Sequence, residues 1–469
     1  MQNIKKTIIK TLHGEEELLK YEIKSFVKSR ASQNIKIYYC VITAVYNAQH
    51  YLDDYFKSIT GQSLDFKKHI QIILIDDGST DDSVNIIKAW KKKFNQNISY
   101  ITNAVNGGQS KQRNLALKYA LKYSKVPWIT FIDADDTVNH RYFEEVNNFV
   151  KNNNDIGIVS CNQVFYMHQS AKEKIHYLSY RFKQKQTIVN PTHMQGFIQS
   201  TASSVFFKYE LLSRHKLYFN EDIKPIFEDG HFVNTLLIKE PYTNIAFLQQ
   251  PIYYYTKREE KLSTMDTSWL KASRYNDALR FALLDLLKNN NSLYIQRYVL
   301  YQVHWYYKKI IYHPHTVDFL STEQLDTFQE LLKEVFSYIE PNNIETCGLG
   351  GMWHKYRIGF YKLYKNNVLF KQVCYLDSYD SELQELKLHY FFHSNDKEVF
   401  LLNKHEIKSS RYEIIEHKFL DNIFVYEKIL YLKITGKWEY LDVQLGDVET
   451  QISLHKKRYK NGIQLSQFI

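Results

Sequence analysis

At 469 residues the chain is long for a single hydrophobic core, and ordinary domain sizes predict two to four domains. Its 44% apolar content, with only 7 Pro and 15 Gly, excludes collagen-like and extended low-complexity chains and leaves ample material for a packed interior. The formal charge of +10 suits partners with repeated negative charge, but the basic clusters Lys91-Lys92-Lys93 and 456–460 read as solvated faces; no nucleic-acid motif accompanies them, and no nucleic-acid partner is expected.

Residues 1–35 are charged and weakly periodic, with Leu18, Leu19, Ile23 and Phe26 at roughly helical spacing, which predicts a helical extension outside the main fold. The N-terminus lacks the apolar core of a signal peptide, and no uninterrupted stretch approaches the roughly 18 apolar residues of a membrane span. Cys40, Cys161, Cys347 and Cys374 lie far apart and form no CxxC pair, which speaks against a zinc ribbon or a disulfide framework and fits a reducing cytoplasm. The expected location is cytoplasmic, with any contact to the inner face of the cytoplasmic membrane peripheral.

From residue 35 the pattern becomes that of βαβ units. Short β-rich runs at 37–45 and 70–75 are each followed by polar turn residues and a helical segment, predicted at 48–60 and at 81–94, where Ser79 or Thr80 is placed to cap. A third strand at 99–102, a helix at 111–123 and a buried strand at 128–132 complete the series, and the last strand ends abruptly in Asp133-Ala134-Asp135-Asp136. In an open α/β sheet ligands bind beyond the carboxyl ends of the strands, so three polar loops are delivered to one edge. Mixed strands and helices continue over 156–258, including a helix at 229–239, and read as the acceptor side. Residues 265–371 are helical in pattern, and the series Tyr294, Tyr298, Tyr301, Trp305 reads as core. The last hundred residues alternate, with strands predicted at 399–402, 412–415, 423–426, 429–434 and 440–443, the makings of a small β-sandwich.

The strand-end loops carry the chemistry. A nucleotide diphosphate is a poor leaving group until a divalent cation neutralises it, so its transferase needs carboxylates aimed at one point; Asp133 and Asp135, two apart at a strand end, supply them. Asp76-Asp77-Gly78-Ser79-Thr80-Asp81 forms a second acidic turn, in which Asp77 can accept the imide N–H of uracil. Thr43-Ala44-Val45-Tyr46-Asn47 adds hydroxyls and a ring suited to stacking on a base. The loop from Asn106-Gly107-Gly108 to Arg113-Asn114 suits close backbone approach to a nucleotide, and it matches neither the P-loop nor the GxGxxG spacing.

Taken together, VITAVYNAQHYL, LIDDGSTDDS, NGGQSKQRNLAL and FIDADD, in this order, resemble family 2 glycosyltransferases with the GT-A fold over about residues 36–260. The resemblance implies an inverting, metal-dependent enzyme with a UDP-sugar donor. It implies a donor nucleotide site of Thr43, Ala44, Tyr46, Asp77, Asn106, Arg113, Asp133 and Ala134, with Asp77 near uracil, Asp133 near the ribose, Arg113 supporting the pocket and Asp135 on Mg2+ or Mn2+. Phe227-Glu228-Asp229-Gly230-His231 resembles the family's ED motif, implying Asp229 as catalytic base and Glu228 as the residue that tunes it. Lys257-Arg258-Glu259 is similar to a segment of wall teichoic acid glycosyltransferases of Gram-positive bacteria, implying that Lys257, Arg258 and Ser263 bind the diphosphate. Those relatives often carry a metal-binding His a few residues later, where this chain has Lys261-Leu262.

The same resemblance implies a division into an N-terminal extension (1–35), a Rossmann-like GT-A catalytic domain (36–264), a helical linker (265–375) and a β-sandwich-like accessory domain (376–469). The acceptor it implies is an anionic polysaccharide or polyol-phosphate polymer of the cell envelope, teichoic-acid-like or capsular, and it suggests homo-oligomerisation through the C-terminal domain. The alternative reading is an inactive glycan-binding scaffold; a phosphotransferase would need a histidine-rich constellation that the sequence lacks.

Overall fold

The computed structural model describes residues 2–33, 35, 38–184, 187–194, 196–257, 264–349, 352–365, 371–393, 397–435, 439–455 and 457–467. The chain divides into two compact units, Met1–Tyr298 and Val299–Ile469.

The first unit is built on one large mixed sheet. Its strands are β1 (Tyr39–Val45), β2 (Ile70–Asp76), β3 (Ile98–Thr102), β4 (Trp128–Phe131), β5 (Thr137–Val138), β6 (Ile156–Met167), β7 (Lys172–Ile175), β8 (Ile188–Val189), β9 (Val205–Lys208) and β10 (Asn244–Lys257). They run in the order β3-β2-β1-β4-β9-β6-β10-β5, with β7 beside β6 and β8 beside β10. The first four are mutually parallel, whereas β9 runs antiparallel to both β4 and β6. Every residue of β1 but Ala44, and every residue of β2, is buried, the continuous apolar run expected of parallel strands covered on both faces.

Register decides where the loops go. Val45 pairs with Asp76, Asp76 with Thr102 and Ile42 with Phe131, so the carboxyl ends of four parallel strands lie at one edge. The helices between them are α1 (Gln2–Ser32), α2 (Leu52–Thr60), α3 (Phe66–His69), α4 (Ser83–Lys93), α5 (Gln109–Tyr119), α6 (Tyr142–Asn152), α7 (Tyr209–His215) and α8 (Glu228–Lys239). In α2, Leu52, Tyr55, Phe56 and Ile59 recur at the spacing of one helical face, and all four are buried against the sheet.

Several expectations change here. The second half of α1 is not outside the main fold: Leu19, Ile23 and Phe26 are buried, and Glu22 forms a 2.6 Å ion pair with Lys91 of α4. Neither Ser79 nor Thr80 caps α4, whose N-cap is Asp82. Both are drawn instead toward the loop after β1: the Asn47 amide N–H donates to Ser79 Oγ at 3.0 Å, and the Thr80 N–H donates to Asn47 Oδ1 at 2.8 Å.

The second unit begins within a helix, Leu293–Tyr312, and continues with helices Thr322–Tyr338, Pro341–Thr346 and His354–Tyr364. Ser321 and Gln324 form a reciprocal capping box at the start of the second of these. Of the aromatic series, Tyr294, Tyr298 and Tyr301 are buried and Trp305 is half-buried. Among the described residues ten strands follow in a six-stranded and a four-stranded sheet, whose apolar faces share one core that includes Leu388, Leu430, Phe400 and Val443. Residues 423–426 and 429–434, expected as two strands, fall in one long strand, Asn422–Lys433, with Ile434 just beyond its end, because both halves pair with the neighbouring strand Arg411–Phe419. No helix among the described residues is long and apolar enough to cross a membrane.

Candidate active site

Two acidic turns and one helix start meet at the sheet edge. The first turn follows β2. Asp77 is 2% exposed and spends its carboxylate on the neighbouring loop: Oδ1 accepts from the Gly107 N–H at 2.7 Å and from the Gln112 amide, and Oδ2 from the Gly108 N–H at 2.8 Å. Two glycines permit this approach. Gly78 has φ +74°, and a Cβ on it would meet the backbone of Val105 and Asn106 at 3.3 Å; Gly108 has φ +91° where α5 begins. Sequence reasoning assigned Asp77 to uracil; here it shapes the 106–112 loop, with accepting capacity left on Oδ2.

The adjoining Asp76 is buried and raised above the usual carboxylate range by that burial, partly offset by its bonds from Ser79 and Gly78. Tyr46 and Asn106 are exposed and Ala44 is half-buried. The Thr43 hydroxyl is buried, 2.6 Å from Tyr55 Oη and donating to the Ile132 carbonyl at 2.8 Å, so the side chain ties β1 to the core.

The second turn follows β4. Asp133 accepts from Gln109 Nε2 at 2.9 Å, from Ser203 Oγ at 3.0 Å and from the Arg113 guanidinium. Its own N–H donates to Tyr253 Oη at 3.1 Å. Ala134 is buried and Asp135 is half-buried. Asp136 points inward, accepting from Tyr253 Oη and the Thr256 N–H, each at 2.7 Å; burial first, then the charges of Asp135 and Asp133, hold its carboxyl well above the usual range. Within one turn a half-buried carboxylate, Asp135, is thus followed by a buried anchor, Asp136.

Arg113 joins this turn to helix α8. Its guanidinium is 2% exposed, contacts Asp133 and donates to Asp229 Oδ1 at 2.5 Å, while Asp229 Oδ2 accepts from the Ala202 N–H at 3.0 Å. The rings of Phe131 and Phe219 lie 5.9 and 5.3 Å from it. Burial pulls the guanidinium pKa down, but Asp229 and Asp133 outweigh that and raise it, so the charge persists in the interior. Glu228, next to Asp229 in the first turn of α8, is pushed up to about 8 by burial and by its neighbour's charge, although part of its surface meets solvent. Gly230 has no alternative at its position, because a Cβ there would stand 1.9 Å from the Tyr298 hydroxyl oxygen.

Lys257 ends β10, with its ammonium 4.9 Å from the Tyr255 ring centroid and 4.0 Å from Asp266. Arg258 and Ser263 lie outside the described residues. The expected site residues Asp133, Arg113 and Asp229 are brought into direct contact. The partners Ser203 and Ala202 escaped sequence reasoning. They sit in the irregular segment before β9, carry no motif, and reach the site only because Ser203 bridges to Phe131 at the end of β4.

The glycosyl transferase family 2 model matches residues 40–209. The chain is 30% identical over 314 residues to the minor teichoic acid biosynthesis protein GgaA of Bacillus subtilis, an alignment covering 66% of this chain and 68% of the relative. The chain belongs to glycosyl transferase family 2. It is also similar to GgaB of the same organism, 31% identical over 65% of this chain and 33% of GgaB. The poly(ribitol-phosphate) β-N-acetylglucosaminyltransferase TarS of Staphylococcus aureus is 26% identical over 53% of this chain and 40% of TarS, so the chain spans less than half the length of GgaB and of TarS. Among solved structures, S. aureus TarS matches 91% of this chain and 84% of its own with a TM-score of 0.54 at 14% identity. TarS 1–349 in complex with UDP-GlcNAc matches 69% of this chain and 86% of its own, with a TM-score of 0.53 at 17% identity. These likenesses establish that this family 2 chain has a GT-A catalytic fold followed by helices and β-sheets.

Proposed function

We propose that this chain is an inverting glycosyltransferase that moves a sugar, GlcNAc or another hexosamine or hexose, from a UDP-sugar to a hydroxyl of a polyol-phosphate polymer of the cell envelope. One observation carries the reading: a single buried guanidinium holds the strand-end Asp133 and the helix-start Asp229 together. Names of relatives acting on teichoic acids support the acceptor class.

Asp229 is the base. The acceptor oxygen attacks the anomeric carbon, the bond to the diphosphate breaks with its electron pair leaving on UDP, and the hydroxyl proton passes to Asp229. One displacement inverts the anomeric configuration. The charge balance favours this transfer: two carboxylates face one guanidinium, so taking a proton neutralises the cluster rather than leaving a buried cation without a partner. Glu228, protonated below about 8, keeps a further negative charge away from Asp229 near neutral pH.

Ala44, Tyr46, Asp77 and Asn106 border the nucleotide, with Asp77 fixing the loop that carries Asn106. In this reading Asp135 holds Mg2+ or Mn2+. The described residues contain no group of three or more metal-binding side chains, and a donor set of one carboxylate suits a cation that takes its remaining ligands from water and substrate phosphates. When bound, such a cation neutralises charge developing on the diphosphate. Lys257, with Arg258 and Ser263 beyond the described residues, adds positive charge there. Residues 36–264 form the catalytic domain in this reading, 265–375 a linker and 376–469 an accessory domain.

The test is UDP release from a panel of UDP-sugars, with Mg2+ or Mn2+ and purified poly(ribitol phosphate). Acceptor-dependent release, abolished by EDTA and by Asp135→Ala, supports the reading; an inactive scaffold would bind polymer and release no UDP from any donor.

A further inference from the structure

Within the second unit, two large aromatic side chains stand unusually open beside two lysines. Trp353 is 57% exposed and Tyr312 47%. The Lys308 ammonium lies 4.8 Å from the centroid of Trp305 and 6.0 Å from that of Trp353. Lys355 is 4% exposed, and its ammonium sits 4.6 Å from the Tyr312 centroid and 5.7 Å from that of Trp353, donating to the Tyr312 hydroxyl.

Burying an ammonium is costly unless its charge is answered. Among the described residues Lys355 forms no ion pair, and Glu427, the carboxylate that feels its charge, is bonded to His417 at 2.7 Å. Aromatic faces offset part of the desolvation. The Tyr312 oxygen accepts from Lys355, which leaves its O–H to point outward, polarised by the cation behind it. A half-exposed Lys308 supplies a second positive charge at the same rim. An open indole face flanked by a polarised hydroxyl and an ammonium that forms no ion pair among the described residues matches a ligand that alternates apolar ring faces with negative charge.

We propose that Trp353, Tyr312, Lys308 and Lys355 form a second polymer site, binding a phosphodiester-linked glycan strand with a pyranose on the Trp353 face and a phosphate at Lys308 and the Tyr312 hydroxyl. The polymer class rests on the acceptor reading above; the site itself rests on these four side chains. It holds the strand independently of the chemistry at Asp229.

The full chain is titrated, by tryptophan fluorescence and calorimetry, with poly(ribitol phosphate) carrying or lacking GlcNAc, with a neutral GlcNAc oligomer and with inorganic phosphate. The glycosylated polymer binds tightest, and added salt weakens it. Trp353→Ala and Lys308→Ala each weaken it about tenfold, the ordinary loss for an anchoring side chain. Trp353→Phe keeps most of the affinity, and UDP-sugar affinity and turnover onto a single-repeat acceptor stay unchanged in all three. Because Trp353 and Lys308 are at the surface, folding is retained and circular dichroism verifies it. Polymer affinity insensitive to both alanine variants, absence of polymer binding by the wild type, or a Trp353→Ala effect confined to oligomeric state in sedimentation overturns the site. Polymer binding through Trp353 without any sugar transfer overturns the proposed activity and leaves this site standing.

Discussion

Two acidic turns close β2 and β4, strands that both flank β1, yet the structure uses them in opposite ways. At the end of β2, Asp77 accepts from two backbone N–H groups and a glutamine amide, so its charge organises a loop. At the end of β4, Asp133 answers a buried guanidinium that also holds Asp229, so its charge is tied to a second carboxylate across the cleft. Fixed dipoles position and cannot relay a change in charge; a shared cation can. In the proposed mechanism this difference separates a residue that shapes the donor pocket from a cluster able to take up a proton.

The comparison is broken most sharply at Asp229. Asp229→Asn keeps a hydrogen-bonding side chain beside Arg113 but removes the proton acceptor, and the expected outcome is a kcat lower by about 10²–10⁴-fold with UDP-sugar affinity little changed, read by steady-state kinetics and calorimetry. Arg113→Met removes the shared cation and leaves two carboxylates facing each other in a mostly buried site. Removing one partner of such an arrangement costs about 3–5 kcal/mol, so urea unfolding should show a loss on that scale, and an unchanged midpoint would show the guanidinium to be dispensable.

Asp77→Asn tests the other turn. An amide nitrogen must then oppose the Gly107 or Gly108 N–H, which costs about 1–3 kcal/mol, and the expected signature is weaker UDP binding with kcat on saturating donor nearly intact. A kcat collapse as deep as that of Asp229→Asn would erase the distinction drawn between the turns. The smallest effect on turnover is expected at Glu228. Its folded pKa is raised, to about 8, so the folded state holds the proton more tightly than the unfolded chain and Glu228 contributes stability that is present at low pH and is lost as pH rises toward 8. Glu228→Gln should therefore gain stability relative to wild type between about pH 4.5 and 8 and level off above that, a trend that thermal melts across pH will check.

The legibility of these regions in the sequence differs for a physical reason. Strand-end turns are written in consecutive residues, so Asp77, Asp133 and Asp135 could be singled out from local pattern and placed at one sheet edge by the parallel βαβ rhythm. Asp229 and Arg113 were also named, but their mutual contact through a shared cation was not, because it joins residues 116 apart in the chain. Ser203 and Ala202 had no periodicity or motif to mark them. Strand alternation does not say which face a loop-proximal hydroxyl takes, and that of Thr43 lies against Tyr55. In the second unit the strand Asn422–Lys433 was split in two because Glu427-Lys428 looks like a polar turn, whereas Lys428 is paired with Glu398 at 2.6 Å and the strand runs through.

The central claim is that Asp229 takes the acceptor proton in a single displacement from a UDP-sugar. The most direct measurement is the anomeric configuration, by proton NMR, of the product formed from an α-linked UDP-sugar by the wild type and by Asp229→Asn. The account predicts a β-linked product from the wild type and almost none from the variant. An α-linked product, or undiminished transfer by Asp229→Asn, would contradict it.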